Sequence, residues 1–96
     1  MDKFRELKNL YLEKLNKYIP IVARVHGNHP ELREVQTLFK AIYQKIQDSG
    51  EEMPDLEIEF LKLREITTDY MVPEDACETY RAVYEMLASL DKAFFA

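Results

Sequence analysis

The sequence predicts an all-α protein, folded as an antiparallel up-down-up-down four-helix bundle that forms one domain over residues 1–96. In four separate stretches the apolar residues recur every three or four positions, which is the period of one helix face. No stretch shows the apolar/polar alternation of a β-strand, and the two glycines lie between these stretches. The predicted connections are only a few residues long, so neighbouring helices must run antiparallel.

The first helix is predicted over about residues 2–26. Its apolar row consists of Phe4, Leu7, Tyr11, Leu15, Tyr18, Val22 and Val25. Pro20 lies inside the row and lacks the N–H that would bond the carbonyl of Asn16, which predicts a kink. The helix is also apolar beside this row, at Leu10, Leu12, Ile19 and Ile21. Either the helix lies deep between two neighbours, or these side chains form a second interface such as that of a homodimer.

The second helix is predicted over about residues 30–48. Gly27 can end the first helix, Asn28 is a candidate N-cap, and Pro30 suits the first helical position. The segment Asp48-Ser49-Gly50 is predicted to end the helix. Its buried row is predicted to be Leu32, Val35, Phe39, Ile42 and Ile46.

Prolines also mark the predicted starts of the third and fourth helices, about residues 54–70 and 73–95. The acidic residues in the early turns of the third helix, which complement its dipole, are Asp55, Glu57 and Glu59. Its buried row is predicted to be Leu56, Phe60, Leu63, Thr67 and Tyr70. The row of the fourth helix is predicted to be Ala76 or Cys77, Tyr80, Val83 or Tyr84, Leu87, Leu90 and Phe94.

The charge of the chain excludes some partners. A net charge of −5 repels phosphate, and no cluster of lysine and arginine reverses it locally, so we expect no binding of nucleic acid. The N-terminal residues are charged and no apolar run reaches the roughly 20 residues of a membrane span, which predicts a cytoplasmic protein without a membrane partner. The single cysteine, Cys77, cannot form an internal disulfide.

No side chains have the spacing of a catalytic site, so we expect no enzyme activity. The Glu-x-x-His spacing of di-metal bundles is absent. His26 and His29 could bind a metal only with further donors, for which Glu51 and Glu52 are the candidates, and otherwise they have a solvated or capping role. The helix dipole favours a thiolate at Cys77, but the acidic residues beside it oppose one, and a small buried side chain is predicted.

Two stretches are more specific than these patterns. They are VARVHGNHPEL at residues 22–32 and LREITTDYMVPEDAC at residues 63–77, which TYRA at 79–82 continues. Together they resemble the repair of iron centres (RIC) family of hemerythrin-like iron–sulfur cluster repair proteins. The resemblance implies a hemerythrin-like four-helix bundle with a di-iron centre held by histidines and bridging glutamates. It also implies a role in mending iron–sulfur clusters damaged by oxidative or nitrosative stress.

The sequence departs from the family at the positions of the iron ligands. By the resemblance, the first histidine ligand falls near Arg5, a His-x-x-x-Glu pair near Ser49, and another histidine near Met53. The final His-x-x-x-Glu falls just past Ala96. His26 matches a histidine typical of the family, but it lies about 31 Å along a straight helix from the first ligand position, so we expect a structural role for it.

The predicted function is therefore that of a non-catalytic RIC-like protein that has lost the di-iron site and has no cofactor. It would act through a protein partner or through self-association as a homo-oligomer. One alternative is a metal-binding repair protein with a reduced or intersubunit iron site made by His26, His29, Glu51 and Glu52. Another is a bundle with an unrelated role, such as a transcriptional or toxin–antitoxin accessory module.

Overall fold

The computed structural model describes residues 2–96, with side chains from Lys3 onwards, and the predicted four-helix bundle is confirmed. The helices are α1 Asp2–Val25, α2 Glu31–Ser49, α3 Glu57–Thr67 and α4 Glu78–Phe94. Helix α1 packs against α2 and α4, and α2 packs against α3. The ring of Phe4 at the start of α1 lies 5.8 Å from that of Phe94 at the end of α4, as antiparallel neighbours require. No strand occurs within residues 2–96.

Helix α1 continues through Pro20, but it buries a different set of side chains from the predicted row. Val25 is 65% exposed, whereas Leu12 and Ile19, which lie beside the predicted row, are buried. The buried row of α1 is Phe4, Leu7, Leu12, Leu15, Ile19 and Val22. Two neighbours therefore cover a broad face of α1, as the first interpretation of its extra apolar residues expected. Leu10 and Ile21 remain exposed.

Helix α2 begins one residue later than predicted, after Pro30, and no side chain caps its first turn. The predicted cap by Asn28 is wrong, because its side-chain amide instead donates to Asp75 at 3.2 Å. The buried row of α2 is confirmed as Leu32, Val35, Phe39, Ile42 and Ile46. The helix ends at Ser49, before Gly50 with a φ of 60°. The α1–α2 connection is thus held by a partner distant in sequence, before α4.

Helix α3 is shorter at both ends than the predicted 54–70 because side chains bond the backbone there. At its start Asp55 accepts the backbone N–H of Glu57 at 3.3 Å, which competes with a further helical turn. At its end the hydroxyl of Thr67 accepts the backbone N–H of Tyr70 at 2.8 Å. The residues after the helix all have positive φ, namely Thr68, Asp69 and Tyr70.

Helix α4 begins at Glu78 and not at the predicted position 73, because a turn precedes it. The turn is closed by the N–H of Ala76, which donates to the carbonyl of Pro73 at 3.2 Å. Cys77 is then the N-cap of α4, and its sulfur accepts the backbone N–H of Tyr80. The side chain of Cys77 is exposed, so the prediction of a small buried residue is wrong.

The core is largely apolar, with Tyr80, Tyr84 and Phe60 as its largest fully buried side chains. Two acidic side chains are also buried in it, Glu59 and Asp91. Glu59 forms an ion pair with Lys45 of α2 at 2.8 Å. Asp91 of α4 accepts a hydrogen bond from Arg64 of α3. Within residues 2–96, no helix combines the length and the apolar character that crossing a membrane requires.

Candidate functional site

The two stretches that carry the family resemblance meet at one end of the bundle. His26 Nε2 lies 3.3 Å from Cys77 Sγ, although 51 residues separate them in the chain. His29 Nε2 lies 2.9 Å from Asp75 Oδ1 and 3.0 Å from Oδ2, and Asn28 donates to the same carboxylate. We call this place, where residues 26–30 contact residues 75–80, the junction end.

The backbone after α1 directs both histidines toward the start of α4. The N–H of His26 still bonds the carbonyl of Val22, and the N–H of His29 then donates to the carbonyl of His26, both at 2.9 Å. This tight turn leaves both rings edge-on to Tyr80, with ring centroids 4.9 Å away for His26 and 5.7 Å for His29. His26 is buried, whereas Cys77 beside it is exposed. The ring of His26 therefore contacts the thiol from the buried side.

Two ion pairs surround His29. Its Nδ1 lies 3.1 Å from Glu31, and its Nε2 faces Asp75. The hydrogen bond to Asp75 raises the pKa of His29, although partial burial opposes this, and Glu31 adds to the rise. In turn, the hydrogen bonds from His29 and Asn28 lower the pKa of Asp75. The pair therefore joins the two resemblance stretches by charge.

The pH dependence of the His29–Asp75 pair follows from the directions of the two pKa shifts. The pKa of His29 is raised above 6.5, so its contribution to stability is complete below pH 6.5 and disappears as the pH rises through the raised pKa. The pKa of Asp75 is lowered below 3.8, so its contribution is present above pH 3.8 and disappears as the pH falls through the lowered pKa. The pair should stabilise the fold most between these limits.

We expect Asp75→Asn to lower the pKa of His29 toward 6.5. The gap in the urea midpoint between wild type and variant should shrink as the pH rises above the wild-type pKa of His29. NMR titration of the imidazole and urea unfolding at several pH values measure both effects. Glu52→Gln, an exposed change at the other end, is the control. An unchanged His29 titration in Asp75→Asn would contradict the pairing.

The opposite end of the bundle contains the positions to which the resemblance assigns iron ligands. A small cavity there is lined by Phe4, Arg5, Lys8, Glu51, Glu52, Met53 and Pro54. The guanidinium of Arg5 donates to the carbonyl of Glu51 at 3.5 Å. The hydroxyl of Ser49 donates to the carbonyl of Ile46 at 2.9 Å. A guanidinium and a thioether therefore lie at positions to which the resemblance assigns imidazoles.

Phenylalanine rings fill the space beside this cavity. Phe94 lies 5.4 Å from Phe60 and 5.0 Å from Phe95, measured between ring centroids, in addition to its contact with Phe4. Iron in di-iron bundles is bound by imidazole and carboxylate donors that project inward from facing helices. Phenyl rings offer no such donor, and a guanidinium repels a metal cation. Among the side chains from Lys3 onwards, those at this end do not supply the donor set of a di-iron centre.

The four candidate metal ligands of the sequence analysis do not meet within one chain. His26 and His29 lie at the junction end, whereas Glu51 and Glu52 follow α2 at the opposite end, beside Arg5 of α1. The length of α1, 24 residues or about 36 Å, separates the two ends. Among the side chains from Lys3 to Ala96, no group of three or more His, Cys, Asp or Glu is arranged to hold a metal ion. A site shared between subunits stays a hypothesis.

A third cluster was missed by the sequence analysis. Asp91 of α4 accepts hydrogen bonds from Arg64 Nε at 2.9 Å and from the hydroxyl of Tyr70 at 2.6 Å. Burial and the bond to Asp91 raise the pKa of Tyr70, and the same carboxylate raises the pKa of Arg64. An acidic residue directly after Leu90, on the apolar face of α4, was the signal available in the sequence.

Comparison with known proteins agrees with the resemblance. The chain is similar to the iron-sulfur cluster repair protein ScdA of Staphylococcus haemolyticus (strain JCSC1435), with 25% identity over 123 aligned residues covering 95% of this chain. It spans about half the length of this curated relative, 55%. The alignment exceeds the 96 residues of the chain, so the relative has residues inserted within the matched stretch. No family model and no solved structure matches. Over nearly its whole length the chain is thus a distant likeness of an iron–sulfur cluster repair protein.

Proposed function

We propose that this chain is a RIC-like protein without the di-iron site, and that it acts by binding itself or a protein partner and not by catalysis. One observation carries the proposal, the contrast between the two ends of the bundle. At the junction end the resemblance stretches contact each other through His26, His29 and their partners. At the opposite end, Arg5, Met53 and phenylalanine rings lie at or beside the positions to which the resemblance assigns the ligands.

The chemistry of the opposite end supports the first half of the proposal. Two adjacent iron ions need several anionic or imidazole donors to offset their charge and to bridge them. The carboxylates there belong to Glu51 and Glu52, which are both exposed, and the nearby Arg5 and Lys8 are cationic. Without such ligands the bundle lacks the Lewis acid and the redox couple of a di-iron centre, which supports binding as its activity.

The surface of α1 supports the second half. Leu10 is 53% exposed, Ile21 is 37% exposed and Val25 is 65% exposed. Leu10 and Ile21 are about three turns apart and Val25 follows one turn later, so they share one stripe of the helix. Lys14 and Lys17 lie within the same stripe. This stripe of exposed apolar and cationic side chains is the surface of α1 that we propose binds protein.

Size-exclusion chromatography with light scattering tests self-association. We expect a mass near twice the 11.4 kDa of the chain at about 200 µM, falling toward the monomer on dilution. The double variant Leu10→Lys with Ile21→Lys should give the monomer mass at the same concentration. Glu85→Lys, an exposed change in α4, is the matched control and should leave the mass unchanged. A monomer mass for wild type at every concentration contradicts the homo-oligomer form of the proposal.

A further inference from the structure

We propose that Cys77, paired with His26, is a reactive thiol that hydroperoxides oxidise and that small thiols of the glutathione class then cap. The inference rests on the geometry of the junction end and does not depend on whether the protein binds iron. It assigns a modification site to an exposed side chain whose sulfur contacts the other resemblance stretch.

The sulfur of Cys77 combines access with a buried basic partner. The side chain is exposed, so a small oxidant reaches it from solvent. Behind it, His26 is nine-tenths buried and aims Nε2 at the sulfur from 3.3 Å. Within residues 2–96, the His26 ring has no other hydrogen-bond partner.

Two further features of the fold face the sulfur. The backbone N–H of Tyr80 donates to Sγ at 3.4 Å. The sulfur is also the N-cap of α4, a helix of 17 residues whose N-terminal dipole stabilises an anion. The closest acidic groups repel an anionic sulfur, but the carboxylate of Asp75 is hydrogen-bonded to His29 and Asn28. Glu74 and Glu78 are exposed to solvent, which screens them.

Cys77, His26 and Tyr80 are arranged as a nucleophile, its base and a group that positions the base. Cys77 is the nucleophile, His26 is the base within hydrogen-bond reach, and the ring of Tyr80 holds the base in place by edge packing at 4.9 Å. A Cys–His pair in this arrangement differs from a single exposed cysteine, because the imidazole can take the thiol proton and hold it for the leaving group.

The oxidation balances with a hydroperoxide as the oxidant. His26 takes the thiol proton, and the thiolate of Cys77 attacks one peroxide oxygen. The sulfur–oxygen bond forms as the oxygen–oxygen bond breaks, and the proton from His26 goes to the leaving oxyanion to give water or an alcohol. The sulfur loses two electrons, which the peroxide gains, and the product is a sulfenic acid. A small thiol then displaces water from it and leaves a mixed disulfide.

Modification would also change the junction end itself. The sulfur contacts His26 and caps α4, and both contacts require an unmodified thiol or thiolate. An added oxygen or a mixed disulfide replaces these contacts with a bulkier group. The connection between the two resemblance stretches would then depend on the redox state of Cys77.

The test measures how fast hydrogen peroxide oxidises the thiol, with dimedone trapping of the sulfenic acid and mass spectrometry. The reference is the double variant Cys77→Ser with Glu85→Cys, which places an exposed thiol in the middle of the same helix. We expect native wild type to react at least about tenfold faster than this reference and than urea-unfolded wild type. His26→Gln, checked for folding by circular dichroism, should react near the reference rate.

Two outcomes overturn the inference. One is a wild-type rate within about twofold of the Glu85→Cys reference. The other is a folded His26→Gln variant that reacts as fast as wild type. If His26→Gln does not fold, the comparison of native wild type with the reference thiol decides, because neither protein changes His26.

Discussion

Replacing Phe60 with alanine is expected to lower the free energy of unfolding by about 4 kcal/mol, because it empties the aromatic cluster at the end opposite the junction. Phe60 is fully buried, and its ring centroid lies 5.4 Å from that of Phe94 and 6.4 Å from that of Phe95. The truncation removes a large apolar side chain, and partial relaxation of its neighbours leaves a cavity. Urea unfolding followed by circular dichroism measures the loss.

Phe95→Ala is the control for this change. The Phe95 side chain is 40% exposed, although it touches the same cluster, so its truncation should cost well under half as much. A loss below about 1.5 kcal/mol for Phe60→Ala would show that the cluster is loosely packed and would contradict the expected cavity cost.

Asp91→Ala should lower the free energy of unfolding by about 3 kcal/mol. Asp91 is 3% exposed and accepts hydrogen bonds from Arg64 and Tyr70, so its loss leaves the hydroxyl of Tyr70 without an acceptor inside the fold. The side chain of Arg64 is 38% exposed and can turn to water, which keeps the cost at the lower end for a broken buried pair. The same urea experiment measures it.

Tyr70→Phe isolates one bond of this network and should cost about 1 kcal/mol. Because burial and Asp91 raise the pKa of Tyr70, its hydroxyl stays neutral in the fold well above pH 10, and the stability linked to it is lost only in strong alkali. An Asp91→Ala variant no less stable than Tyr70→Phe would mean that the ion pair with Arg64 contributes nothing.

The sequence predicted the number and order of the helices because apolar periodicity records which side chains are buried. It succeeded for α2, whose row from Leu32 to Ile46 matches the buried residues. For α1 it failed at Val25, since a face covered by two neighbours is wider than one row and its centre cannot be located from spacing. Proline signals misplaced the starts of α3 and α4, where side chains such as Asp55 bond the backbone instead.

The candidate site was less predictable. His26, His29 and Cys77 each stand out in the sequence, but the contact between His26 and Cys77, 51 positions apart, depends on how α1 and α4 pack. The resemblance pointed to the two stretches that meet, without showing that they meet. The exposure of Cys77 was missed because its acidic neighbours suggested burial of a neutral thiol, whereas the turn that precedes α4 places it at the surface.

The most direct test of the central claim is the iron content of the purified chain after anaerobic reconstitution with ferrous iron and removal of excess metal. We expect below about 0.1 iron per chain, because Arg5, Met53 and the phenylalanine cluster lie where the resemblance assigns the ligands. A stoichiometry near two iron per chain, with the ligand-to-metal absorption of an oxo-bridged pair, would contradict it.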